Sequence, residues 1–159
     1  MNTGIGIHLH EEQTTVAVVV ASGKSLRLMQ LEIIPGSLWE DHTARQKLLA
    51  LSKTWRKACP RVWATLPTWR SHLAKVKLEV TDPLQIAQII KYESERYIPH
   101  LDIEKVVIDF HIIQRRANST KLLVSGMPQE LVALYLAKLE QCGFQPSGLD
   151  LDTMGLFYL

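Results

Sequence analysis

Apolar positions in this chain repeat at period two in some stretches and at helical spacing in others, and the switches mark out its elements. Gly4 to His10 reads as a strand, and Thr14 to Ala21, rich in Val and Thr, as a second. Glu11-Glu12-Gln13 makes a polar turn between them, and Ser22-Gly23-Lys24 is another turn signal, leading to a strand over Leu26 to Ile34. Three strands joined by short turns predict an antiparallel meander. Pro35-Gly36 breaks the run. Ser37 then reads as an N-cap with Glu40 completing a capping box, and Ala44, Leu48, Leu51, Trp55 and Ala58 follow at helical spacing. Arg61 to Leu66 is a short fourth strand, with Val62, Ala64 and Leu66 on one side and Pro67 ending it.

The pattern then changes. Ala74, Val76, Leu78 and Val80 alternate with Lys75, Lys77 and Glu79, as in a half-exposed strand. Asp82 caps a helix with Pro83 at its first position, predicted to run to Tyr97. Ile86, Ile89, Ile90, Glu93 and Tyr97 share one stripe of that helix at about 100° per residue. A carboxylate there is either satisfied in a core or turned toward something that binds. Pro99 cannot continue the helix and pushes Ile98 out of helical geometry as well. Val106 to Ile113 and Lys121 to Ser125 read as two strands around a loop at 115–119. After Gly126, Pro128 opens a helix carrying Leu131, Tyr135, Leu139 and Cys142, and Gly143 closes it. Pro146 to Leu151 is a fifth core strand, and Thr153 to Leu159 begins a last helix.

Composition narrows the classes. The chain has 159 residues, 47% hydrophobic and 21% charged, as in an ordinary globular protein. A net charge of +2 from interspersed signs leaves no basic face, so nucleic acid is not an expected partner. Cys59 and Cys142 stand far apart, with neither a disulfide framework nor a CxxC metal site. The longest apolar run, Val16 to Ala21, falls far short of the ~18 residues that cross a bilayer, so no direct membrane insertion is expected. Met1-Asn2-Thr3-Gly4 lacks a charged segment leading into an apolar one, so no signal peptide is expected. The expected location is the cytoplasm, with any membrane association made through partners.

With the strand-helix-strand-strand piece removed, three strands, a helix, a strand, a helix, a strand and a helix remain. That is the order of the ribonuclease-H-like core of actin-fold proteins. The predicted organisation is therefore α/β: a core lobe from residues 1–70 and 126–159, with an inserted lobe from 71–125. Its extent is that of only the first half of a full actin-like fold.

Local residues point the same way. Glu93-Ser94-Glu95-Arg96-Tyr97-Ile98-Pro99 followed by Val106-Val107-Ile108-Asp109-Phe110 resembles the E-x-E-x-Y-I-P helix end and V-V-x-D-F strand of the PilM proteins of type IV pilus assembly, relatives of FtsA. It is also similar to the cytoplasmic part of the GspL proteins of type II secretion. The run from Leu139 through Gly143 to Pro146, then Leu149-Asp150-Leu151-Asp152, fits the same family, as does Leu66-Pro67.

The resemblance implies a non-catalytic scaffold, peripheral to the inner membrane, that takes the cytoplasmic tail of a PilN-type membrane protein into a groove between the lobes. On the GspL side it adds a secretion ATPase as an expected partner. The expected tail-binding residues are Glu93, Tyr97, Ile98 and Pro99, with Trp69 and Arg70 in the loop entering the inserted lobe. Trp69 reads equally as a loop tryptophan capping a core.

The rival reading is an actin-like ATP-binding module whose site a second half would complete. In the family the first hairpin typically reads G-I-D-I-G-S. Here His8 stands at the acid, His10 at the glycine and Glu11 at the serine. Imidazole suits Mg²⁺ poorly, and Glu11 would repel phosphate. No cofactor is therefore expected. His8, His10 and Glu12 could also hold zinc, but without a fourth ligand at matching spacing the preferred reading is two histidines hydrogen-bonded at a sheet edge.

Overall fold

The computed structural model describes residues 2–55, 61–99 and 102–154. The expectations at Ala58, Cys59 and residues 155–159 lie outside the described residues. The chain divides into two units, Met1–Thr68 with Leu134–Leu159, and Trp69–Ala133. The border expected at residue 126 falls inside a strand.

The first unit holds a five-stranded sheet of β1 (Asn2–Leu9), β2 (Gln13–Ser22), β3 (Ser25–Pro35), β4 (Arg61–Leu66) and β8 (Gly148–Leu151), in the order β3-β2-β1-β4-β8. β1, β2 and β3 form the antiparallel meander, while β4 runs parallel to β1 and β8 parallel to β4. This is a ribonuclease-H-like sheet. Alternation in β2 sends Val16, Val18 and Val20 to a buried face, joined by Ile5, Ile7, Val62 and Ala64 from the middle strands. Helix α1 (His42–Trp55) packs on β3 and buries Ala44 and Leu48.

The capping expectation for α1 is corrected. Asp41, not Ser37, is the cap: its carboxylate accepts from the Thr43 N–H at 2.7 Å and the Ala44 N–H at 3.3 Å. The Ala44 and Thr43 amides hold that carboxyl below the usual range. Ser37 closes the preceding turn instead. Its hydroxyl accepts from the Trp39 N–H at 3.1 Å, and its carbonyl accepts from the Asp41 N–H at 2.8 Å.

The second unit holds β5 (His72–Leu78), α2 (Pro83–Tyr97), β6 (Val106–Arg115) and β7 (Thr120–Pro128). Its three-stranded sheet, β5-β7-β6, is antiparallel throughout. β7 runs past Gly126 because β6 continues to pair with it as far as Val106 opposite Pro128. Pro128 therefore ends a strand rather than opening a helix, and α3 (Gln129–Gln141) begins one residue later. The apolar cluster of this unit gathers Val76, Leu78, Ile86, Ile90, Leu122 and Val124.

α3 ends in a Schellman motif. Gly143 takes φ +80°, its N–H donates to the Glu140 carbonyl at 2.8 Å, and the Phe144 N–H donates to the Leu139 carbonyl at 2.9 Å. β8 starts at Gly148, two residues later than Pro146, after the Ser147 N–H has reached the Val62 carbonyl at 2.7 Å. Residues 152–154 form a single 3-10 turn.

Candidate functional site

Two places carry the chemistry singled out in the sequence: the end of α2, and the strand ends around His8.

α2 starts as predicted, with the Asp82 carboxylate accepting from the Gln85 N–H at 2.9 Å. Ile86, Ile90 and Ser94 form its buried row, and Ile98 ends it with its N–H on the Ser94 carbonyl at 2.8 Å. Glu93 departs from the uniform wheel. Its φ of −114° and ψ of 15° kink the helix, and its carboxylate is half exposed rather than set in the apolar stripe. The Tyr97 hydroxyl donates to the Glu93 carboxylate at 3.2 Å, and Arg96 stands 3.6 Å from it. Partial burial, then the Glu93 charge, raise the Tyr97 phenol above its ordinary value of 10.0.

An open cleft of about 280 Å³ lies between this helix end and the end of β5. Glu93, Arg96, Tyr97 and Ile89 line one side, and Lys77 to Val80 line the other. Lys77 and Glu79, two residues apart on one side of the chain at the end of β5, pair at 2.5 Å, so the cleft carries two cations and two anions, each already matched.

The predicted binding residues thus separate into three groups. Glu93 and Tyr97 meet in the cleft. Pro99 is exposed beyond it, whereas Ile98 is 4% exposed and belongs to the apolar cluster, which corrects its assignment as a contact residue. Trp69 and Arg70 sit in a short 3-10 turn before β5, with the guanidinium 4.1 Å above the indole ring. Trp69 is 56% exposed and is not a core cap. Seven strand residues at ~3.3 Å each set this pair about 23 Å from the cleft end of β5, so the two do not form one patch. Sequence reasoning passed over Lys77, Glu79 and Arg96 as cleft residues; the signal was the alternation along β5 and the i, i+3 spacing of Glu93 and Arg96.

The second place lies at the C-terminal ends of β1, β4 and β8. His8 Nδ1 and Thr65 Oγ1 share a hydrogen bond of 2.8 Å between β1 and β4. β1 is a central strand, so His8 is not at a sheet edge as expected. The His10 N–H closes the β1–β2 turn on the Gln13 carbonyl at 3.0 Å, and its ring accepts from the Glu12 N–H at 3.3 Å. The two imidazoles lie 6.4 Å apart. Asp152, unrecognised as a structural residue in the sequence, accepts from the Thr68 N–H at 3.1 Å and from the Thr68 hydroxyl. It ties the end of β4 to the end of β8. Among the described residues no cluster of three or more His, Cys, Asp or Glu is placed to hold a metal ion.

This arrangement defines an actin-like, ribonuclease-H-like fold with an inserted antiparallel lobe, and solved structures share it. The chain is similar to a structure of the PilM-PilN type IV pilus biogenesis complex, with TM-score 0.78 and 22% identity over 98% of this chain and 49% of that one. It is similar to the cytoplasmic domain of EpsL, an inner membrane component of the type II secretion system of Vibrio cholerae, with TM-score 0.64 and 17% identity over 96% of this chain and 58% of that one. A Bacteroides thetaiotaomicron protein with an actin-like ATPase fold gives TM-score 0.50 and 11% identity over 99% of this chain and 55% of that one. The chain thus spans about half the length of each. No family model and no curated protein matches it. Among the described residues no helix is long and apolar enough to cross a membrane.

Proposed function

We propose that the chain is a non-catalytic scaffold of a type IV pilus or type II secretion assembly platform, held beneath the inner membrane by its partners. It takes the cytoplasmic tail of a PilN-type membrane protein through the inserted lobe. The observation that carries this reading is the exposed Glu93–Tyr97 pair opening a cleft beside β5, an edge strand of its sheet. An extended tail gains main-chain hydrogen bonds from such an edge and side-chain specificity from the cleft. Along β5 the tail would reach Trp69 and Arg70 at the far end, which gives those residues a role without one shared patch. A tail cation would replace Arg96 on Glu93, and a secretion ATPase is a further partner on the type II side.

Calorimetry with a synthetic tail peptide from the candidate membrane partner tests this. Tyr97→Ala and Glu93→Ala are each expected to weaken binding roughly tenfold, as loss of an aromatic anchor or charged contact usually does. Unchanged binding in both would remove the cleft assignment.

The rival reading, an ATP-binding module, draws on the actin-like ATPase fold of one similar structure. Against it, His8 and His10 are already engaged at the hairpin where phosphate would approach. A one-to-one isotherm with Mg-ATP in the micromolar range would overturn the scaffold reading.

A further inference from the structure

β3 is the edge of the five-stranded sheet, and among the described residues no strand pairs with its outer side. Eleven residues long, it presents a row of backbone N–H and C=O groups of the kind another chain can pair with. Its side chains are unusual for an open edge. Leu26, Leu28, Leu31 and Ile33 are each more than half exposed.

The register places these residues by face. Arg27, Gln30 and Glu32 lie opposite Val20, Val18 and Val16, and so share the face that is buried further into the sheet. Leu26, Leu28, Leu31 and Ile33 lie opposite Ala21, Val19, Ala17 and Thr15 on the other face. In a regular strand Arg27 and Glu32, five positions apart, would point to opposite faces. The bulge at Met29, where the register shifts between Val18 and Val19, brings them to the same one.

The consequence is a strand complementary to itself. Set two copies antiparallel about a two-fold axis between Met29 and Gln30. Arg27 then faces Glu32 of the other copy, Leu28 faces Leu31 and Leu26 faces Ile33, and every pair shares a face. Opposite charges meet twice and large apolar side chains meet four times, which are the cross-strand pairs that favour sheet formation. A two-fold arrangement also closes on itself instead of growing into a fibre.

We propose that β3 is the docking edge for a second copy of this chain, joining two five-stranded sheets into one continuous sheet of ten strands in the register Arg27 to Glu32. The interface is one strand pair with an apolar band, so the dimer is reversible and dependent on concentration.

Sedimentation velocity over a concentration series tests it, using variants at exposed positions and circular dichroism to confirm folding. The parent chain is expected to pass from monomer to dimer. Arg27→Glu and Glu32→Arg each turn both symmetric charge pairs repulsive, and each is expected to weaken dimerisation roughly tenfold. Combining both substitutions in one chain restores the pairs and is expected to restore the dimer. An equimolar mixture of the two single variants is expected to form the heterodimer. A parent chain that stays monomeric throughout overturns the proposal, as does open-ended growth. A dimer indifferent to the single changes, or one that neither the double variant nor the mixture recovers, overturns it as well.

Discussion

The two sheets of this molecule are assembled by different routes. In the core sheet, β1, β4 and β8 are parallel neighbours drawn from opposite ends of the sequence, whereas β5, β6 and β7 of the inserted unit pair only as antiparallel neighbours within residues 72–128. The first arrangement requires long loops to close before any contact rewards them; the second is comparatively local. The contrast extends to what each sheet offers at its ends. The parallel strand ends converge His8, Thr65, Thr68 and Asp152, and every one of them bonds to another part of the core. The inserted sheet leaves an edge and a kinked helix end open. The core's converging strand ends are thus bonded within the core, and its open surface lies at the β3 edge instead, whereas in the insertion the open surface is the β5 edge and the end of α2.

The sharpest way to break this comparison is a cavity in each unit. Leu48→Ala in α1 and Leu122→Ala in β7, both fully buried, are each expected to cost about 2–5 kcal/mol. If the units are separate cooperative blocks, Leu122→Ala speeds amide exchange across 72–128 while β1–β3 stay protected, read by hydrogen exchange with mass spectrometry. Uniform acceleration would erase the distinction.

Next in size is Gly143→Ala. The residue sits at φ +80°, and a Cβ there would come within 2.5 Å of Ser52 Oγ, so a loss of roughly 1–3 kcal/mol is expected in denaturant titration. This loss belongs to the core unit alone.

The caps give a finer comparison. Asp41→Ala and Asp82→Ala remove the amide acceptors of α1 and α2 and should each cost about 1 kcal/mol. Ser37→Ala should cost less, since its hydroxyl serves a turn; equal losses at Ser37 and Asp41 would return the cap to the serine.

The smallest effect is at Tyr97. Tyr97→Phe removes the donor to an exposed carboxylate and should cost under about 1 kcal/mol. The pH sign follows from the raised phenol: the fold favours its protonated form, so that contribution is complete below 10.0 and is lost as pH climbs through the higher folded value. Ultraviolet titration of the parent against Tyr97→Phe reads this directly.

Much of this architecture was legible because its signals are local. Asp82-Pro83 states the start of α2 within two residues, and the alternation in Arg61 to Leu66 gives β4 at its observed bounds. What escaped depends on partners far along the chain. β7 passes Gly126 only because β6 pairs with it, and Asp152 acquires its role only when Thr68, 84 positions away, arrives beside it. Glu93 was misplaced because a uniform wheel cannot contain a kink, and Ile98 because leaving a helix does not mean leaving the core. The capping box at Ser37 and Glu40 was a sound local pattern outcompeted by a better acceptor four residues on.

Trp69, beneath the Arg70 guanidinium, is the one indole in the unit spanning Trp69–Ala133; Trp39, Trp55 and Trp63 all fall in the other. The molecule is therefore optically labelled without chemical modification. Fluorescence from a variant that keeps only this indole would report on the insertion by itself, and a soluble collisional quencher would register any chain that comes to lie over it.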